Sequence, residues 1–197
     1  MDRTSREIRS IASQFETREE NNERIIEGYF AVFNSNYDIA PGMSESVAPG
    51  AFRNTLAGDI RALVNHDTTL VLGRTTARTL ELSEDERGLW GRIRVNPNDS
   101  DAVNLYERVK RGDVSQCSFG FDVLDEETEF REDGSVHWTI KEVKLYEVSC
   151  VTFPAYESTN IDARSKQRED ILKRKTEEWR IKMKERLSNH GTQSTDD

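Results

Sequence analysis

Between residues 25 and 163 the chain carries short apolar runs and alternations separated by Gly, Pro, Asn and Asp, a spacing that predicts strands. Residues 25–33 (IIEGYFAVF) read as a strand in which Gly28 marks a bulge or bend. Residues 61–65, 70–73 and 79–82 are extended, and residues 88–95 alternate Leu89, Gly91, Ile93 and Val95 against polar partners. Two long strands follow, 114–124 and 136–153, joined by a polar hairpin containing Asp133 and Gly134. The period changes twice. Pro49-Gly50-Ala51-Phe52 opens a short helix to about Leu56, stopped by Gly58. Asn98-Asp99-Ser100 offers N-caps to a helix through Arg111, with Ala102, Leu105, Tyr106 and Val109 as its apolar stripe and Gly112 at its stop.

The flanks differ. Residues 1–24 are polar and charged, with a short extended piece in which Ile11, Ser13 and Phe15 alternate, and 16–24 reads as a solvated turn or loop. Residues 164–197 have no β pattern. Within 165–187, Leu172, Thr176, Trp179, Met183 and Leu187 fall at steps of three and four, a narrow apolar stripe on a charged helix. Such a stripe is a docking seam, on its own domain or on a partner. Residues 188–197 are expected to be disordered. The expected organisation is a polar N-terminal segment with a short strand (1–24), a β domain (25–163), and a charged helix with a tail (164–197).

Composition narrows the classes. The chain has 197 residues, 33% charged and 35% hydrophobic, with a net charge of -9, which describes an acidic, soluble protein with a sizeable core. The acid excess argues against nucleic acid as a partner. The two cysteines, Cys117 and Cys150, form no CxxC pair and read as free thiols in a reducing cytosol. The N-terminus MDRTSREIRS has no apolar run of the signal-peptide kind, and no stretch of about 18 apolar residues predicts a membrane span.

Three groups could carry chemistry. If 60–66 is a strand, His66 shares a face with Ile60, Ala62 and Val64, a place where histidines are often structural. A metal site there has no second His or Cys at ligand spacing. Ser118 lies in a strand where Cys117, Phe119, Phe121 and Val123 point into a core while Gln116, Ser118, Gly120 and Asp122 point away. Ser118 therefore emerges on a small polar face, beside a glycine that leaves room for a substrate. Ser115 has the parity of the core row, and phenylalanines flank Cys117, which argues against either as nucleophile. Glu147 shares parity with Val143, Leu145, Val151 and Phe153. A carboxylate buried in such a row needs a partner, for which an imidazole N–H is suited, whereas on an exposed sheet face it would pair with Lys or Arg. His137, ten residues earlier on the same segment, lies about 30 Å away along a straight strand. Serine, histidine and acid on strands make the usual constellation for acyl transfer, though many proteins contain all three residues.

Eight ordered segments carry a resemblance: Glu27-Gly28-Tyr29-Phe30-Ala31-Val32-Phe33-Asn34, Ala48-Pro49-Gly50-Ala51-Phe52, Asn65-His66-Asp67, Leu72-Gly73-Arg74, Arg87-Gly88-Leu89-Trp90, Ser118-Phe119-Gly120-Phe121, Leu145-Tyr146-Glu147-Val148-Ser149 and Thr152-Phe153-Pro154-Ala155-Tyr156. Together they are similar to the prohead proteases of HK97-like phages and related prophages, over roughly residues 25–163. The resemblance implies a mainly β fold with a few helices, a partly open β-barrel like that of herpesvirus assembly proteases. It implies a serine endopeptidase with Ser118 as nucleophile and His66 as general base. Where the herpesvirus enzymes use a second histidine, the comparable strand here offers Glu147. No cofactor or metal is implied. The implied partners are the major capsid protein and its scaffold segment, with self-association and self-cleavage, and without nucleic acid or membrane. The implied place is the host bacterial cytoplasm, inside assembling proheads. Backbone N–H groups near Phe119 or the side chain of Arg74 are candidate oxyanion donors. Two rival readings are a non-catalytic capsid scaffolding protein and a metal-dependent hydrolase built on His66 and Asp67.

Overall fold

Apolar residues at every second position, broken by Gly, Pro and Asn, make this a strand-rich chain. The structure, a computed structural model, describes residues 7–12, 15–20, 23–153 and 158–190. The strands are β1 (Glu7–Ala12), β2 (Glu16–Glu20), β3 (Glu23–Val32), β4 (Tyr37–Ala40), β5 (Met43–Val47), β6 (Arg61–Val64), β7 (Asp67–Arg74), β8 (Leu80–Glu84), β9 (Gly88–Val95), β10 (Gln116–Phe130) and β11 (Val136–Val151). Helix α1 (Ser100–Arg111) stands between β9 and β10, and helix α2 (Ser158–His190) follows β11. Two units result, Met1–Glu157 and Ser158–Asp197.

The first unit holds both sheets. A seven-stranded sheet runs β1-β10-β11-β5-β4, with β6 also beside β11 and β7 beside β6. Strand β11 is long enough to take two parallel neighbours in succession, β5 along residues 136–140 and β6 along residues 147–150. A four-stranded sheet runs β2-β3-β9-β8. One core serves both, with Ile26 and Phe30 of β3, Ile93 of β9, Phe119 of β10 and Val148 of β11 among its members. Each such buried side chain contributes about 1.5–3 kcal/mol of transfer free energy. Helix α1 adds Ala102, Leu105, Tyr106 and Val109 to this core. Its Asp99 cap accepts from the N–H groups of Asp101 and Ala102, and Gly112 stops it in the left-handed conformation with φ 87°. Among the described residues the fold is mainly β with two helices, and the strands do not close into a barrel by hydrogen bonding.

The sequence and the structure part at several places. Residues 16–20, expected as loop, form β2. Polarity hid this edge strand, which is held by backbone pairing to β3 and by ion pairs of Arg18 with Glu27 and Glu20 with Arg92. The first strand lies at residues 7–12, ahead of the expected alternation, and Ser13 is outside the described residues. Residues 49–57 are a chain of turns, with local bonds from the Arg53 N–H to Gly50 and the Thr55 N–H to Phe52, while other backbone groups are taken by other elements. The Phe52 N–H goes to Glu84 Oε1, and the Ala51 carbonyl takes the Val143 N–H. The irregularity in β3 falls between Tyr29 and Ala31, while Gly28 pairs regularly with Gly91. Helix α2 starts earlier than expected and runs through residues 188–190, which were expected to be disordered. Residues 191–197 and 154–157, the latter holding most of the last motif, lie outside the described set. No helix among the described residues is long and apolar enough to cross a membrane.

Gly88 marks the tightest approach of β9 to β3. A Cβ there would lie 2.0 Å from the Ala31 carbonyl oxygen, a backbone atom fixed by the sheet. Gly88→Ala should lower unfolding stability by about 3 kcal/mol, read as a reduced denaturation midpoint.

Candidate active site

The site is built on the face of β10 and β11 that turns away from the core. Cys117, Phe119 and Phe121 of β10 pack inward, opposite Cys150, Val148 and Leu145 of β11. Between them, Ser118 pairs with Ser149 and Gly120 with Glu147, so these four residues share the other face. Simple parity put Glu147 in one row with Val143 and Leu145. The structure corrects this. Gly120 faces Glu147 but Phe121 faces Leu145, which leaves Tyr146 as an extra residue in β11. That bulge reverses the alternation and moves Glu147 to the face of Ser118. The Leu145 N–H beside it is taken by Thr55 Oγ1 at 2.9 Å.

Histidine 66 reaches this face through a tight turn. Strand β6 runs parallel to β11, with Leu63 beside Ser149, and the chain then reverses into β7. Asn65 and His66 both take positive φ, 48° and 62°, which non-glycine residues adopt only when neighbours hold them there. The Asn65 N–H donates to the Cys150 carbonyl at 3.0 Å. Its side-chain oxygen accepts the Thr152 N–H at 2.9 Å. The His66 N–H donates to Ser149 Oγ at 3.3 Å. Asp67 Oδ1 accepts from the N–H and hydroxyl of Thr69 at 2.8 and 2.6 Å, and these bonds hold its carboxyl below the usual range. Asn65, His66 and Asp67 thus divide the work of one turn.

The turn delivers the imidazole to the acid. His66 Nδ1 lies 2.7 Å from Glu147 Oε1, and the Ser149 hydroxyl donates to Glu147 Oε2 at 2.6 Å. Glu147 is 3% exposed, so both of its oxygens need donors, and both have one. A carboxylate on Nδ1 keeps the proton of a neutral ring there and leaves the lone pair on Nε2. That Nε2 is buried and has no hydrogen-bond partner among the described residues. Gly120 has a definite role. A Cβ at this position would stand 2.4 Å from Glu147 Oε1, so the missing side chain makes room for the carboxylate, not for a substrate.

Ser118 departs from the expectation of an open polar face: it is fully buried. Strand β1 pairs along β10 there, and the Ser118 hydroxyl donates to the Arg9 carbonyl at 2.8 Å. Arg9 itself is anchored in the interior, with Nε 2.5 Å from Glu45 Oε1, one terminal nitrogen 2.9 Å from Glu45 Oε2, and the same nitrogen 2.6 Å from Glu7. Burial alone would lower its pKa, but the carboxylates of Glu45 and Glu7 hold it above the usual arginine range. The structure therefore joins His66 to Glu147 directly. It sets Ser118 across from Ser149 on the same face, with its hydroxyl bonded to β1 and not to the imidazole.

The remaining candidates lie elsewhere. His137 sits between the hydroxyls of Ser44 and Ser46, each 2.8 Å from a ring nitrogen. Burial lowers its pKa, with Arg131 adding to the effect. Arg74 commits two donors to Asp59, both at 2.6 Å, and this contact holds the Asp59 carboxyl down at about 2. The Phe119 N–H lies where β10 is paired on both edges. Cys117 is buried in the core, and burial pushes the Cys150 thiol up. Among the described residues no group of three or more His, Cys, Asp and Glu could hold a metal ion. Sequence reading missed Ser149, although its signal was present: on a strand, Glu147 and Ser149 are neighbours on one face.

Comparisons of the sequence with known proteins agree on a family. A family model described as caudovirus prohead serine protease matches residues 13–174. The prohead protease of Enterobacteria phage HK97 is 34% identical over 143 residues, covering 71% of this chain. The chain spans 59% of the length of that relative. The bacteriophage T4 capsid assembly protease superposes with a TM-score of 0.52 at 12% identity, over 76% of this chain and 98% of that one, a likeness of fold. With its matched segment running through both sheets, the chain belongs to the caudovirus prohead serine protease family.

Proposed function

We propose that this protein is a serine endopeptidase that cuts capsid subunits, and itself, during prohead maturation, acting within assembling proheads in the host cytoplasm. The observation that carries the reading is the His66–Glu147 hydrogen bond on the sheet face that also bears Ser118. Glu147 holds the imidazole in the tautomer whose Nε2 can accept a proton and stabilises the imidazolium that forms. With β1 displaced from the Ser118 edge of β10, the Ser118 hydroxyl leaves the Arg9 carbonyl, turns toward Nε2, gives up its proton and attacks a peptide carbonyl carbon. The tetrahedral adduct collapses, His66 protonates the leaving amine, and the acyl group stays on Ser118 Oγ until water, deprotonated by His66, releases it. The likeness to a herpesvirus-type barrel rests on the motif resemblance and belongs to the same proposal.

The partner surface is assigned to α2. Leu172, Trp179 and Met183 are exposed on it at 39%, 60% and 38%. At 100° per residue they share a face with Thr176. Arg168, Lys175 and Arg186 flank this seam on one side, whereas on the other Lys173 and Arg180 are ion-paired with Glu169 and Glu177, and Glu178 and Glu185 lie opposite. A narrow apolar seam with one basic rim fits an amphipathic helix with an acidic edge, and the scaffold segment of the capsid subunit is the partner that the proposed role supplies.

Co-expression with the capsid subunit of the same phage tests the chemistry. Ser118→Ala and His66→Ala should each leave the subunit mass intact in mass spectrometry, with the variant folded by circular dichroism. Uncut subunits beside wild-type protein would instead favour an inert scaffolding role. Glu147→Gln should slow cleavage by about 100-fold or more, because the imidazolium loses its charge partner. Gly120→Ala should fold yet lose most activity, since its methyl takes the place of Glu147 Oε1. Replacing Leu172 and Trp179 together by Ser should reduce the protease copies counted in purified proheads while cleavage of free subunits stays at the wild-type rate.

A further inference from the structure

We propose that Ser149 is a positioning residue for the reaction, holding Glu147 in the orientation in which that carboxylate can serve His66. The inference rests on the functional reading above and adds to it a residue that acts only through others. One buried hydroxyl touches two members of the site and stands across the strand pair from the third. Ser149 is fully buried, donates to Glu147 Oε2 at 2.6 Å, accepts the His66 backbone N–H at 3.3 Å, and pairs with Ser118 in the β10–β11 ladder.

The direction of these bonds follows from the atoms. A backbone N–H can only donate, so Ser149 Oγ accepts from His66, and its single proton is left for the carboxylate. With its proton directed to Glu147 and a lone pair taken by an N–H, Ser149 supports the site and Ser118 keeps the nucleophile's part. The carboxylate is thereby held at both ends. Oε1 faces the imidazole and Oε2 is tied to a residue on its own strand, with Gly120 leaving the space above the sheet open for it. Without the hydroxyl, Oε2 would be a buried charged oxygen short of a donor. It would compete for the Nδ1 proton or turn toward water, and either change spoils the Oε1–Nδ1 alignment.

A fluorophosphonate probe tests this with the 197-residue chain and needs no knowledge of the natural substrate. The Ser118 oxygen displaces fluoride at phosphorus while His66 takes the hydroxyl proton. The inactivation rate therefore reports the serine, histidine and acid together, and mass spectrometry locates the adduct. Ser149→Ala should lower the maximal inactivation rate about tenfold or more, with probe affinity unchanged, and Ser149→Thr, which keeps the hydroxyl, should recover most of it. The decisive comparison is a double-mutant cycle. In a Glu147→Gln background, Ser149→Ala should cost almost nothing further, because its effect runs through that carboxylate. In parallel, the His66 Nδ1–H resonance of the resting protein should move or vanish into solvent exchange in Ser149→Ala and persist in Ser149→Thr. An equal loss in both backgrounds, or an unchanged rate and resonance in folded Ser149→Ala, overturns the proposal. Absence of an adduct on Ser118 in wild-type protein taken from a preparation that cuts co-expressed capsid subunits overturns the nucleophile assignment instead, and the resonance still decides whether Ser149 holds the Glu147–His66 pair.

Discussion

A carboxylate buried on a sheet face has to be given hydrogen-bond donors, and most of what is unusual around Glu147 meets that demand. The extra residue at Tyr146 turns Glu147 out of the apolar core row. The absent side chain at Gly120 leaves it space. The left-handed turn at Asn65 and His66 brings one donor, and Ser149, two residues along the same strand, brings the other. Each of these features carries a local cost or an irregularity when taken alone. Together they produce one satisfied carboxylate with an imidazole fixed in a single tautomer.

The β10–β11 pair serves two purposes by having two faces. Its inner row, Cys117, Phe119 and Phe121 against Cys150, Val148 and Leu145, is continuous with the core shared by both sheets. That rigidity fixes the backbone from which Ser118, Glu147 and Ser149 project. The arrangement suits chemistry in which small displacements of reacting groups are expensive, because strands packed on a core hold side chains more closely than loops do. Strand β1 closes the other edge of β10. It is pinned through the Arg9–Glu45 pair inside the protein, and its backbone carbonyl receives the Ser118 hydroxyl. The resting position of that hydroxyl is thus set by a segment more than a hundred residues away in the chain.

Much of the architecture was legible beforehand. The bounds of β9 and the cap and stop of α1 follow from local signals, and the structure shows them where the sequence puts them. The inward row of β10 and the outward parity of Ser118 were equally readable. Strand β2 was not. An edge strand of Glu, Thr and Arg owes its form to a neighbour's backbone and cross-strand ion pairs, which leave no apolar alternation behind. The turns at 49–57 imitate a helix start, because the residues that begin helices also begin turns.

For the site, the chain alone determined which residues can ionise, which can act as nucleophiles, and that the strand after Ser118 carries an acid, Glu147. Tertiary structure decided which face that acid uses, which donors satisfy it, and what covers the serine. The reason is that alternation belongs to a single strand, whereas a bulge, a cross-strand partner and a covered edge exist only between segments that meet in space. Val148 separates Glu147 from Ser149 in the chain, but only the pairing with β10 and the turn after β6 make those two side chains parts of one hydrogen-bonded set.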